Sequence, residues 1–318
     1  MRNWLSHPFL PLFLITTVFA GHLIHAQTTQ RDSEESSAST YRSNVSEVRL
    51  VFFATDEHSH AVEALQKDDF AVVDNESIIR DFRSFTHADL INLDVIVLID
   101  SSESVLPHFK EEIAEVHQLI SQSPWNSEDR LSVLSFGGMG AQIVCSSDCR
   151  SSFIADRIAS LSAGGATPLF DALAVTARIL MERRQPDVWP VIILFSDGDD
   201  TISKASFYEA LEKVRDSEAQ IYAIDLNPSG QASNGTATLQ RIADDSGGRR
   251  LGIGVGAVGI FNSVISDLHS ARVVTYALPE SGSAFHSVRI LPTRNLTLQF
   301  RCRRGYYRSG SSHSEESP

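Results

Sequence analysis

Residues 94–104, DVIVLIDSSES, limit the possible folds of this chain more than any other stretch. Positions 95–99 are continuously apolar and mostly β-branched. A short run of that kind between polar residues reads as a strand covered on both faces, the habit of a parallel sheet. The run ends on Asp100, and Ser102 and Ser104 follow at alternate positions. Open α/β sheets bind ligands beyond the carboxyl ends of their strands. An acid and two hydroxyls at such an edge form an all-oxygen donor set, which suits a hard cation such as magnesium.

The segments after residue 93 alternate strand and helix. Phe109, Ile113, Val116 and Ile120 fall at helical spacing, which predicts an amphipathic helix over 110–121. Strands are expected at 131–136, 189–195 and 221–224, with 142–145 pairing back onto the first of these. Helices are expected at 151–161, 168–181, 207–217, 238–246 and 258–270, with Ser203 as a candidate cap for the helix at 207–217. Alternation on this scale argues for an α/β fold with a Rossmann-like, doubly wound, mostly parallel sheet. Strand-like segments at 48–54, 70–73 and 78–85 precede it, and others at 273–278, 287–291 and 296–302 follow it.

The expected organisation is therefore a signal peptide at 1–26, a disordered linker at 27–43 and a β-rich N-terminal region at 44–90. The α/β domain occupies 91–271, a β-rich C-terminal region 272–308 and a disordered tail 309–318. The first segment has a basic residue, Arg2, then an apolar stretch at 9–20 and a small residue, Ala26, at the expected cut. The short apolar core and Pro8 and Pro11 at its start favour removal over retention as an anchor. An exported location follows, periplasmic, cell-surface or secreted, with no stable membrane span after cleavage. Cys145 and Cys149 are close enough to pair in an oxidising compartment, with two free thiols as the alternative, and Cys302 has no evident partner. The formal net charge of −13 argues against nucleic acid or an anionic membrane as a general partner.

A second apolar run, 191–195, ends in Ser196-Asp197-Gly198 and delivers another acid to the same sheet edge. Between the two strands lies Gly164-Gly165-Ala166-Thr167-Pro168, a flexible loop whose Thr precedes a helix. Asp100, Ser102, Ser104, Thr167 and Asp197 are thus the candidate metal ligands. These three motifs, Asp100-x-Ser102-x-Ser104, Gly165-x-Thr167-x-Leu169 and Phe195-Ser196-Asp197-Gly198, resemble in order and spacing the metal-ion-dependent adhesion site of von Willebrand factor type A domains. Lys67-Asp68-Asp69-Phe70 and Arg304-Gly305-Tyr306-Tyr307 are further similar to the flanks of a group of exported bacterial proteins, many from Acidobacteria, that carry this domain.

The resemblance implies magnesium, with manganese or calcium as substitutes, bound directly by the two Ser hydroxyls. Thr167 would bind directly or through water, and the two Asp residues through water. It implies a vacant coordination position filled by an Asp or Glu carboxylate of a partner protein, so a binding module and not an enzyme. Glu103, where that family often has Gly, adds a carboxylate near the socket. Asp171 is expected to act in helix packing or behind the ligands, and Asp199 and Asp200 to form a solvated loop.

Two other classes compete with this one. A magnesium-dependent hydrolase of the phosphatase type needs a second acid two residues after Asp100, and that position is Ser102. No nucleophile elbow or P-loop is present. The other class is a structural exported domain with no metal dependence. Gly254-x-Gly256-x-x-Gly259 matches a dinucleotide fingerprint by letter, but no acid ends a following strand about 20 residues on.

Overall fold

The computed structural model describes residues 47–88, 91–122, 125–147, 149, 152–228, 233–252, 256–280 and 283–308. The expected signal peptide, linker and tail, and Gly254 of the glycine motif, lie outside the described residues. In chain order the elements are β1 (Glu47–Thr55), β2 (Phe70–Asp74), β3 (Ser77–Ile79), β4 (Ser84–His87), β5 (Asn92–Asp100), α1 (Phe109–Gln122), β6 (Arg130–Gly137) and β7 (Gly140–Cys145). They continue with α2 (Ser152–Ala159), α3 (Leu169–Glu182), β8 (Val188–Ser196), α4 (Phe207–Ser217), β9 (Gln220–Asp225), α5 (Asn234–Ser246), β10 (Arg249–Gly252) and α6 (Gly256–Ser270). The last strands are β11 (Arg272–Ala277), β12 (Phe285–Pro292), β13 (Gln299–Cys302) and β14 (Gly305–Tyr307).

The central sheet has the order β10-β9-β8-β5-β6-β7, parallel except for β7, which runs antiparallel to β6. Because strand side chains alternate, β5 feeds two cores. Val95, Val97 and Ile99 pack with α1, α2 and α6 through Val116, Ile158 and Val264. Ile96 and Leu98 pack with α3, α4 and α5 through Leu173, Leu211 and Leu239. All five β5 positions are fully buried, which explains the unbroken apolar run. Each such side chain contributes roughly 1.5–3 kcal/mol of burial. The order of strands puts β5 beside β8, so the two acid-bearing strand ends are neighbours.

The remaining strands form two four-stranded sheets, β13-β1-β11-β4 and β14-β12-β2-β3. Each contains strands from both ends of the chain. They share a third core, in which Phe52 and Phe70 lie 4.9 Å apart with Val72, Val274 and Ile290 around them. Among the described residues no helix is long and apolar enough to cross a membrane.

Several local expectations change. The single strand expected at 78–85 is two strands in different sheets, β3 on β2 and β4 on β11. The chain crosses between them at Phe82, which is buried and stacks on Phe70 at 5.1 Å. The strand expected at 296–302 begins only at Gln299, because Asn295 holds the preceding residues in a turn through the N–H and hydroxyl of Thr297. Helix α5 starts four residues earlier than expected, where Ser233 accepts a hydrogen bond from the Thr236 N–H. Ser206, not Ser203, caps α4, in a reciprocal box with Glu209.

Candidate metal site

Asp100 ends β5 fully buried, between β6 and β8. The next residue is drawn toward β6: Ser101 donates its N–H to Phe136 O at 2.7 Å and its hydroxyl to the same oxygen at 2.9 Å. The chain then turns, so the residues after Asp100 do not continue as a strand. Asp100 Oδ1 accepts from the Ser102 N–H at 3.0 Å, and Oδ2 accepts from Ser196 Oγ at 2.7 Å. Ser102 Oγ and Ser104 Oγ lie 3.1 Å apart. Ser102 is fully buried, whereas Glu103 and Ser104 are exposed.

The glycine loop is stitched to this turn by main-chain bonds. Gly164 donates to Ser101 O at 2.8 Å, and Glu103 donates to Gly165 O at 2.9 Å. Gly138, from the β6–β7 hairpin, donates to Ala166 O at 2.8 Å. Gly165 has φ of +79°, and a Cβ there would sit 2.9 Å from Gly138 Cα, so only glycine fits. Thr167 is buried and fixed by its backbone, donating to Thr201 Oγ1 at 2.8 Å and accepting from the Thr201 N–H at 2.8 Å. Those bonds use main-chain atoms of Thr167 and leave its own hydroxyl out.

Asp197 follows Ser196 at the end of β8. Gly198, with φ of +82°, turns the chain there, and its N–H donates to Ser196 Oγ at 3.0 Å. A Cβ at Gly198 would lie 2.2 Å from Gly235 O, which seats this turn against α5. Asp200 is not simply a solvated loop residue: its Oδ1 accepts from the Phe170 N–H at 3.2 Å and the Ser203 hydroxyl at 2.5 Å, capping α3. Asp171 returns the contact, accepting from the N–H groups of Lys204 and Ala205 at 3.0 and 2.8 Å. Ser203, the expected helix cap, belongs to this exchange instead.

Burial raises the Asp100 carboxyl to about 6, against the lowering pull of the Ser102 and Ser196 hydrogen bonds and with a further push from Asp197. Sequence reading missed Glu112, on the first turn of α1. It is completely buried, and neither carboxylate oxygen has a hydrogen-bond partner among the described residues. Burial holds it well above the usual carboxylate range, with Asp100 and Asp197 adding to the effect. The signal was present: α1 buries Phe109, Glu112, Val116 and Leu119, so Glu112 stands where an apolar residue would be expected, while Ile113 is only partly buried.

A magnesium ion demands a fixed spacing of its donors. Adjacent ligands in an octahedron of about 2.1 Å bonds are about 3.0 Å apart, and the two Ser hydroxyls meet that spacing. An orphaned buried carboxylate on the helix that follows the serine turn is also what a cation would relieve. Among the described residues no three His, Cys, Asp or Glu side chains converge to hold an ion by themselves. Hydroxyl groups would therefore have to supply part of the coordination.

The profile of the von Willebrand factor type A domain matches residues 94–253, half of the chain. No curated protein matches the sequence. Similar solved structures include proximal thread matrix protein 1 from the mussel byssus, at TM-score 0.45 and 19% identity, covering 56% of this chain and 48% of that one. This chain thus spans about half of that protein's length. The vWF domain of the type V pili tip protein Mfa5 from Porphyromonas gingivalis gives 0.46 and 13%, covering 56% and 95%. An aerotolerance-related membrane protein from Bacteroides fragilis gives 0.43 and 16%, covering 56% and 98%. At these scores the likenesses carry no functional information. The matched segment runs from β5 to β10 and includes all five candidate ligands, and on that match the chain belongs to the von Willebrand factor type A domain family, a family of protein-interaction modules.

Proposed function

We propose that this protein is an exported, metal-anchored binding module. Ser102 and Ser104 would hold a magnesium ion directly, Thr167 directly or through water, and Asp100 and Asp197 through water. The bound ion supplies a positive centre with one coordination position open to an Asp or Glu carboxylate of a partner protein. The observation that carries the reading is the contact of the two serine hydroxyls at 3.1 Å, beside a buried Asp100. Neutral hydroxyls leave the charge of an ion little quenched, so a carboxylate from outside is attracted strongly. Three loops around the site also expose large apolar side chains, Leu106, Met139 and Ile202, which gives a protein partner something to cover. Manganese or calcium could take the place of magnesium. Export rests on residues 1–26 and is supported by the Cys145–Cys149 disulfide.

The test is a magnesium and manganese titration by calorimetry and thermal shift, on the wild type and on Ser102→Ala/Ser104→Ala. Saturable binding that disappears in the double variant is the expected result. Both proteins should also be titrated in acetate or with an acidic peptide, since a closing carboxylate strengthens binding in this reading. No binding by the wild type under either condition would remove the metal mechanism and leave the fold. Thr167→Ala should weaken metal-dependent binding without unfolding the domain.

A further inference from the structure

Glu112 is the group in this molecule whose placement is hardest to explain by folding alone. A glutamate at zero exposure with both oxygens lacking partners costs stability, and the ordinary remedy is an apolar residue. The surroundings are suited to one: Phe109 and Val116 flank it on the same helix face and belong to the apolar core. The helix carrying it follows directly from the Ser102–Ser104 turn, and its N–H makes the first helical bond, to His108 O at 3.0 Å. Phe109 and Val116 pack in one core with Ile99 and Val105, which bracket Asp100 and the serine turn in sequence, so the face that carries Glu112 covers the strand end that leads into the hydroxyl ligands. Its carboxylate is also close enough to Asp100 and Asp197 to feel both charges.

We propose that Glu112 is a positioning carboxylate of the metal site, accepting hydrogen bonds from water bound to the ion. This rests on the metal-anchored reading above. Magnesium keeps several of its waters when protein ligands are few, and each such water needs acceptors. Partners of this kind behind the direct ligands orient the site and set its affinity. Among the described residues no three acidic, His or Cys side chains form a chelating group, so the role proposed for Glu112 is contact through water and not direct ligation. The site would then differ from one built on two acids alone by having a third, fully buried carboxylate.

The experiment compares wild type, Glu112→Met and Glu112→Gln in magnesium and manganese titrations, with melting curves in EDTA. Met fills the same volume without polar atoms, and Gln keeps one acceptor oxygen. The expected result is a loss of metal affinity of at least about tenfold in Glu112→Met and a smaller loss in Glu112→Gln. In EDTA, Glu112→Met should melt at or above the wild type. Wild-type binding with affinity unchanged in both variants overturns the role of Glu112 and leaves the metal site intact. No binding by the wild type overturns the parent reading, and the role of Glu112 with it. If Glu112→Met fails to fold, Glu112→Gln decides, and unchanged affinity there overturns the proposal.

Discussion

Ser196 Oγ donates to Asp100 Oδ2 at 2.7 Å across the boundary between β8 and β5, and the same oxygen accepts the Gly198 N–H at 3.0 Å. One hydroxyl thus orients the buried acid of the first strand and anchors the turn that carries Asp197. Ser196→Ala would leave a buried carboxylate oxygen and a buried N–H each short of a partner. The expected cost is about 1–3 kcal/mol of stability, measured by urea unfolding. Metal affinity should fall as well, because both Asp100 and Asp197 lose a positioning contact. A variant that loses stability but binds magnesium as tightly as the wild type would show that Ser196 serves the fold alone.

The pH dependence follows from Asp100. Burial raises its folded-state pKa from 3.8 to about 6, so the fold penalises the ionised form. This group costs nothing below about pH 4, where it is protonated in both states. Between about pH 4 and 6 its contribution becomes destabilising, by about 3 kcal/mol at the upper end. Asp56 and Glu209 shift the other way, so the effect is read as a difference between variants. In EDTA, the stability of wild type relative to Asp100→Asn should decline from pH 4 to pH 7. Magnesium requires the ionised carboxylate in this reading, so its stabilising effect on the wild type should be larger at pH 7 than at pH 5. A constant difference between wild type and Asp100→Asn across that range would contradict the assignment.

What was legible from the sequence was what local chemistry dictates. Residues 95–99 and 191–195 had to be apolar throughout because both faces of β5 and β8 are covered. The acids and hydroxyls at their ends stand out against such runs. Glu112 does not stand out, because one acid on an amphipathic helix normally belongs to the wet face, and the apolar stripe in the sequence runs through Ile113 instead. Nor was the pairing of the flanks visible. β1 pairs with β11 and β13, more than 200 residues away, and β2 with β12, at similar separation. A period-two pattern shows that a strand has an inner face and is silent about which strand lies beside it. The break at Phe82 was hidden for the same reason, since β3 and β4 answer to different sheets.

The cysteines make a chemical prediction. Cys145 and Cys149 are bonded, closing a short loop from β7 toward α2. Cys302 is free, and burial pushes its thiol up to about 12, so it has little thiolate at neutral pH. The native protein purified without reductant should show no fast-reacting thiol toward a disulfide reagent. Unfolded without reductant it should show one thiol per chain, and after reduction all three. Breaking the five-residue loop with Cys145→Ala/Cys149→Ala should cost about 2 kcal/mol. Three thiols in the unreduced, unfolded protein would mean that the bond is absent.

The two flanks are joined by a buried polar cluster centred on Asp74, at the end of β2. Its Oδ1 lies 2.6 Å from His286 Nδ1 on β12, and its Oδ2 accepts from the hydroxyls of Tyr276 on β11 and Tyr306 on β14, at 3.0 and 2.5 Å. All four side chains are buried, and the ring of His286 stacks on Tyr306 at 5.0 Å. One carboxylate from the N-terminal flank thus serves three strands from the C-terminal flank, in both sheets. Asp74→Ala would remove the shared acceptor and leave the three partners without it in an apolar core. A buried donor left without its acceptor costs about 1–3 kcal/mol, and this carboxylate has three partners, so the sandwich should be severely destabilised. Tyr276→Phe deletes a single hydroxyl while Tyr306 still satisfies the same oxygen, and should cost about 1 kcal/mol. The two are compared by chemical unfolding followed at Tyr and Trp fluorescence. Similar small costs for both would mean that the cluster merely fills space; a large cost confined to Asp74→Ala would make that carboxylate the polar tie between the two ends of the chain.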